Sequence, residues 1–198
     1  MENKHKTYAV IGKYAVGKTT FLNLLQEYSK KVLKKEQKIL FSDEFFQMCY
    51  LKDNPCYLAL KNYNPAFVKD MKVNKEKLRE FIRSNPDNIN IIEKLVYPFL
   101  EEHLKNNKYD FVEIPNLYSK NANFAVYFDK VIRIFSSEEQ RVKNIVNKNV
   151  NNSISSLNDF LNKGFCHKVD VNISNSEWKN EDFFPKFFLE LNKKKKVF

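Results

Sequence analysis

Apolar residues along this chain follow two rhythms. Short apolar runs bounded by polar or turn residues occur at 7–11 (Thr-Tyr-Ala-Val-Ile), 38–41 (Lys-Ile-Leu-Phe), 109–114, 131–135 and 169–173. Runs of that length, rich in β-branched and aromatic residues, predict five buried strands. Between them the spacing lengthens to three and four. Phe21, Leu24, Leu25 and Tyr28 set out one face of a first helix over about 18–33, which ends in a basic run that suits a helix C-terminus. Ser137-Glu138-Glu139-Gln140 supplies an N-cap and an acidic first turn for a later helix through about 148. A Phe-rich amphipathic pattern over 182–191 predicts a closing helix.

The second and third strands are separated by a long helical stretch, about 45–107. Asn54-Pro55, Asn64-Pro65 and Asn85-Pro86 punctuate it. Asn74 caps a helix carrying Leu78, Phe81 and Ile82, and a further helix carries Ile89, Ile92, Val96, Leu100 and Leu104. Pro98 falls inside that last pattern and predicts a kink. Strands alternating with helices imply a three-layer α/β domain: a parallel five-stranded sheet, helices on both faces, and a site at the strands' C-terminal ends. Residues 1–198 read as a single domain, with the helical block at 45–107 an inserted substrate-binding subdomain.

The first strand leads into Gly12-Lys13-Tyr14-Ala15-Val16-Gly17-Lys18-Thr19, and a helix follows. This is G-x-x-x-x-G-K-[ST] in its required context, strand then loop then helix. The glycines let the backbone turn its N–H groups toward phosphate oxygens, and the helix N-terminus adds partial positive charge. Lys18 can reach the β- and γ-phosphates, and the Thr19 hydroxyl can ligate Mg²⁺. Gly12, Lys13, Tyr14, Ala15, Val16, Gly17, Lys18, Thr19 and Thr20 are therefore the expected ATP-binding residues. The chain has only three glycines, and the motif uses two of them.

Composition narrows the class. The net charge is +10, but four of those charges are Lys193 to Lys196 and the rest are spread. That argues against a dedicated nucleic-acid surface and for anionic substrates. No stretch approaches the roughly 18 apolar residues of a membrane span, and the polar start carries no signal-peptide pattern. Cys49, Cys56 and Cys166 lack metal spacing, as do His5, His103 and His167; free thiols in a reducing cytoplasm are expected. Oligomeric state is not legible beyond a monomer or weak oligomer.

Among P-loop proteins, a small GTPase would need N-K-x-D, and Asn147-Lys148-Asn149-Val150 lacks the Asp. A short first helix followed at once by a strand ending Ser42-Asp43-Glu44 suits a small-molecule kinase. At the end of the second strand Asp43 can face an acceptor hydroxyl as general base. Glu44 is the rival acid; at a helix start its side chain should leave in another direction. Glu113 could orient a Mg²⁺-bound water or simply end its strand.

Several segments in order resemble the dephospho-CoA kinase family. They are the P-loop; Leu78-Arg79 followed by Asn85-Pro86; Tyr97-Pro98; Val112-Glu113-Ile114-Pro115-Asn116-Leu117; Ser137-Glu138-Glu139-Gln140-Arg141; and Asp170-Val171-Asn172-Ile173-Ser174-Asn175. The resemblance runs from about residue 8 to 178. It implies ATP-dependent phosphorylation of the 3′-hydroxyl of dephospho-CoA, giving CoA, with Mg²⁺. It implies Asp43 as general base, Arg79, Pro98 and Asn116 at the acceptor, and a lid over about 138–168. In that lid Arg141, Lys143 and Lys148 would neutralise ATP phosphates. The sequence departs from the family where Tyr97 replaces a His, Ser119 a Glu, and lysines the lid arginines. Lys neutralises phosphate but lacks the bidentate fork of Arg. The alternatives are a nucleoside or nucleotide kinase and, from another class, a non-catalytic basic nucleotide- or RNA-binding P-loop protein.

Overall fold

The computed structural model describes residues 5–114, 116–147 and 168–192. Pro115, Lys148, Cys166, His167, the lysine tail and most of the expected lid lie outside the described residues. The five expected strands form one all-parallel sheet: β1 (Tyr8–Ile11), β2 (Ile39–Phe41), β3 (Phe111–Glu113), β4 (Lys130–Phe135) and β5 (Val171–Ser174). Their order across the sheet is β2-β3-β1-β4-β5. Tyr8 pairs with both Phe111 and Lys130, so the three central strands start level, and their C-terminal ends open along one edge.

All four residues of β1 are buried, because both faces of the sheet are covered. Tyr8 and Val10 face one side, where α1 (Lys18–Tyr28) and α7 (Phe183–Asn192) supply Phe21, Leu22, Leu25, Phe184 and Phe187. Ala9 and Ile11 face the other, against Leu100 and Leu104 of α5 (Asn88–Asn106) and against Phe124. The period-two alternation along one strand thus divides the core into two layers. The first helix is shorter than the apolar pattern implies. Its expected tail, Ser29–Leu33, widens into a π-helical turn that ends at Lys34, which is left-handed at φ 53°.

The helical block comprises α2 (Ser42–Cys49), α3 (Pro55–Tyr63), α4 (Lys75–Ser84) and α5. It carries a third core of its own, including Cys56, Leu60, Phe67, Leu78, Ile82 and Val96. Pro55 opens α3 where its missing N–H costs nothing. The Asn74 side chain caps α4, accepting from the backbone N–H of Glu76 and Lys77 at 3.2 Å each. α5 runs through Pro98 as one helical element, with Pro98 on its exposed side. A small hairpin, Val68–Lys69 with Lys72–Val73, interrupts the helices. Its turn is built from Asp70 and Met71, both at positive φ without a glycine, so the sequence carries no turn signature there. α6 (Glu138–Asn147) follows β4, and Ser137 caps it by accepting from Gln140 N–H at 3.2 Å. Among the described residues no helix is long and apolar enough to cross a membrane.

Candidate active site

The loop after β1 turns on two backbone positions. Gly12 has φ 152° and Gly17 φ 100°, and between them Ala15 also sits left-handed at φ 63°. A Cβ on Gly12 would lie 2.3 Å from the Ile134 carbonyl oxygen of β4. The glycine is needed because the loop crosses hard against the neighbouring strand. Gly17 stands directly before α1, and the Trp178 ring packs over it.

Lys18 folds back along the loop and donates to the carbonyls of Gly12 (3.1 Å) and Lys13 (3.2 Å). Its ammonium is 3.8 Å from the Glu113 carboxylate. The Thr19 hydroxyl donates to the other Glu113 oxygen at 2.9 Å. Glu113 ends β3, beside β1 in the sheet, so register alone delivers it to the loop. A cavity of about 260 Å³ opens here, lined by Tyr14, Lys18, Thr19, Asp43, Glu113 and Asn144 among others. Asp43 reaches it from the first turn of α2, immediately past β2, where the helix N-terminus favours a carboxylate. Both acids at that turn are exposed; Asp43 lines the cavity and Glu44 is not among its lining residues.

The acceptor-side candidates divide. The Tyr14 phenol is pushed up by burial, then by the Asp43 charge, and held down by the Arg79 charge. The Asp43 and Arg79 charges thus both act on Tyr14; Tyr14 and Asp43 line the cavity, and Arg79 is not among its lining residues. Arg79 also pairs with Glu76 at 3.2 Å. Asn116 is tied elsewhere: its amide donates to Glu93 of α5 at 2.9 Å.

The lid candidates divide as well. Arg141 is buried, forks onto Glu138 through its Nε at 3.0 and 3.1 Å, and borders a smaller cavity of about 130 Å³ beside Gly12 and Lys13. That guanidinium holds the Glu138 carboxyl below its ordinary range. Lys143 is exposed and engages Glu139 at 2.7 Å. In its place α6 turns Asn144 and Asn147 to the main cavity, and Asn144 donates to the Ala15 carbonyl at 2.7 Å. Sequence reasoning missed Asn144, Trp178 and Glu93. The first follows α6's capped start by helical spacing; the other two carry no local signal.

The donors gathered here are oxygens: the Thr19 hydroxyl and the Glu113 and Asp43 carboxylates. That is the ligand chemistry of a hard cation shared with phosphate oxygens. Among the described residues no cluster of three or more His, Cys, Asp or Glu could hold a metal by itself.

No family model matches the chain. Individual relatives do. The dephospho-CoA kinase of Rickettsia typhi is 35% identical over 145 residues, 70% of each chain. That of Rickettsia felis is 34% identical over the same length and share. That of Mycoplasma pneumoniae is 28% identical over 133 residues, 64% of each chain, just under two thirds of the relative's length. The crystal structure of TT1252 from Thermus thermophilus shares the fold, with a TM-score of 0.68 over 96% of this chain and all of that one, at 17% identity. With about a third of the aligned residues identical to the Rickettsia enzymes across 70% of its length, the chain belongs to the dephospho-CoA kinase family.

Proposed function

We propose that this protein transfers the γ-phosphoryl group of ATP to the 3′-hydroxyl of dephospho-CoA. The observation that carries the reading is the convergence of Lys18, Thr19, Glu113 and Asp43 on one cavity at the C-terminal edge of the sheet. Family membership names the acceptor. In this reading the P-loop N–H groups and Lys18 hold the phosphates. Lys18 exchanges its two carbonyl partners for phosphate oxygens, a charge-assisted and stronger bond. Thr19 and Glu113 would hold Mg²⁺ between them and the nucleotide, where the ion neutralises phosphate charge. Asp43 accepts the acceptor hydroxyl's proton. An ionised carboxylate only accepts hydrogen bonds, so it also fixes the direction of that O–H. Arg79 faces acceptor phosphate from α4, and the helical block 45–107 forms the acceptor pocket, with Pro98 and Asn116 at its margin. α6 opens the lid, where Arg141 and Lys148 supply positive charge, while Lys143 engages Glu139 outside and Asn144 takes the place expected for it. The setting is the cytoplasm.

An ATP-consumption screen across dephospho-CoA, nucleosides and nucleoside monophosphates tests this. Consumption with dephospho-CoA, abolished by Lys18→Ala in a folded variant, is expected. Consumption with a nucleoside and none with dephospho-CoA would replace the acceptor. Turnover by Lys18→Ala at the parental rate would remove the phosphate loop from the mechanism.

A further inference from the structure

Glu93 is the only acidic residue of the helical block that is buried among the described residues, at 6% exposure. It faces no cation in the described hydrogen bonds and ion pairs. Four neutral donors converge on its carboxylate instead. On one oxygen are the Tyr97 hydroxyl at 3.1 Å and the Asn116 amide at 2.9 Å. On the other are the Ser119 hydroxyl at 2.5 Å and the Asn121 amide at 2.8 Å. Asn121 also donates to Asn90, one turn earlier on α5. Each amide nitrogen can only donate, so the carboxylate serves as common acceptor for groups from two chain segments.

Those segments border the site. Residues 116–121 follow directly from β3, whose last residue Glu113 binds Thr19 and Lys18. Tyr97 packs on Phe46 of α2 at 6.2 Å between ring centres, one turn from Asp43 on the same helix. Burial and the adjoining Glu93 charge push the Tyr97 phenol up, so it stays a hydrogen-bond donor to Glu93. Burying a carboxylate is costly unless its lone pairs are filled, and here three of the four donors come from the segment after β3 while Tyr97 lies one turn along α5 itself. The carboxylate is therefore a clamp between α5 and the loop after β3. A clamp of this kind fixes geometry better than it adds stability.

We propose that Glu93 is a positioning residue for the acceptor: by holding Asn116, Ser119, Asn121 and Tyr97 together, it fixes the wall between α2 and the strand edge against which the acceptor lies. The proposal rests on the phosphoryl-transfer reading for its kinetic readout. Its structural readout does not depend on that reading.

Two measurements on Glu93→Gln test it. The side chain keeps its shape, but one oxygen becomes an NH₂ facing two donors. In steady-state kinetics the KM for dephospho-CoA should rise about tenfold, as expected for leaving buried donors unpaired, with the KM for ATP unchanged. In hydrogen exchange read by mass spectrometry, amides of 116–123 should exchange faster while those of the P-loop do not. The exchange Glu93→Ser with Ser119→Glu returns a carboxylate to the same space, since the two side chains already touch. It should restore both values toward wild type. Equal changes in both KM values, or unchanged exchange at 116–123, would overturn the proposal. If Glu93→Gln does not fold, Ser119→Ala removes one donor and leaves the carboxylate three. It should raise the acceptor KM by a smaller factor, and no rise would overturn the proposal. If the wild-type chain leaves dephospho-CoA untouched, the acceptor assignment falls, while faster exchange at 116–123 alone still supports the clamp and unchanged exchange rejects it.

Discussion

Replacing Gly12 by Ala should damage this fold more than replacing Gly17, although both glycines stand at positive φ. At Gly17 the added Cβ meets side-chain atoms of Trp178 at 3.3 and 3.6 Å, a tight contact that a small ring shift relieves. The cost there is mainly the left-handed backbone, about 1–3 kcal/mol. At Gly12 the same strain applies, and the Cβ also lands 2.3 Å from the Ile134 carbonyl oxygen and 3.0 Å from Val16 Cγ2. The carbonyl belongs to β4, locked in register between β1 and β5, so it cannot rotate aside. Overpacking of this kind adds about 1–3 kcal/mol, which brings Gly12→Ala to about 2–6 kcal/mol. In a chain of this size each kcal/mol shifts Tm by roughly 2–4 °C, so Gly12→Ala should melt at least about 4 °C below wild type. Thermal melts of the two variants beside wild type read the order directly. Because relief can come only from moving the loop, ATP affinity should fall with stability in Gly12→Ala. Gly17→Ala melting lower than Gly12→Ala, or Gly12→Ala melting with wild type, would refute the steric argument.

Three other outcomes are expected. Asp43→Asn keeps the shape at the α2 N-terminus and removes the base, so kcat should fall by about 10²–10⁴ while Glu44→Gln stays near wild type; the reverse order would move the base to Glu44. Burial lowers the His103 pKa below its ordinary 6.5, so the unfolded chain takes up that proton first. The His103 contribution to stability should therefore be complete above pH 6.5 and decline as pH falls through the folded-state value, and His103→Gln should flatten that part of a Tm-against-pH curve. Cys49 and Cys56 are buried against each other, and burial pushes the Cys56 thiol up, so native-state iodoacetamide labelling read by peptide mapping should spare both until denaturant is added.

The sheet was legible because its strands are short apolar runs bounded by polar or turn residues, fully buried in β1 and half-buried in β2, and such runs need no partner to be recognised. Asn74 and Ser137 announced helix starts through chemistry confined to one turn, and Asn54-Pro55 marked a break at which α3 begins. The hairpin at 68–73 was not legible, since a two-residue turn normally advertises itself with Gly or Asn, and here Asp70 and Met71 bear the left-handed strain unaided. The π turn at Ser29–Leu33 was hidden for the opposite reason. Its residues form helix readily, and the widening is set by the left-handed Lys34 and by Ser29, whose hydroxyl donates to the Lys35 carbonyl at 2.7 Å.

The site divides along the same line, between chemistry held within a few residues and chemistry assembled across the fold. Gly12, Gly17, Lys18 and Thr19 lie on one loop and the helix turn that follows it, so their spacing in the chain is their geometry in space. Asp43 was legible at one remove, because the end of a parallel strand has a known destination. Glu113 follows the same rule: it ends β3 beside β1, where it accepts from Thr19 and stands 3.8 Å from the Lys18 ammonium. α6 shows where the rule fails. Reading Lys143 by charge places it over phosphates, yet a helix sends successive side chains about 100° apart, and α6 turns Asn144 to the P-loop while Lys143 bonds Glu139 outside. Charge says what a residue could do, and helical phase decides which residue is present to do it. Glu93 lies further still from the sequence: an acid on a mostly apolar helix reads as solvated, and beyond Tyr97 one turn along, its three other partners arrive only with the segment after β3. Its role depends on groups up to 28 residues away, a distance at which no spacing rule operates.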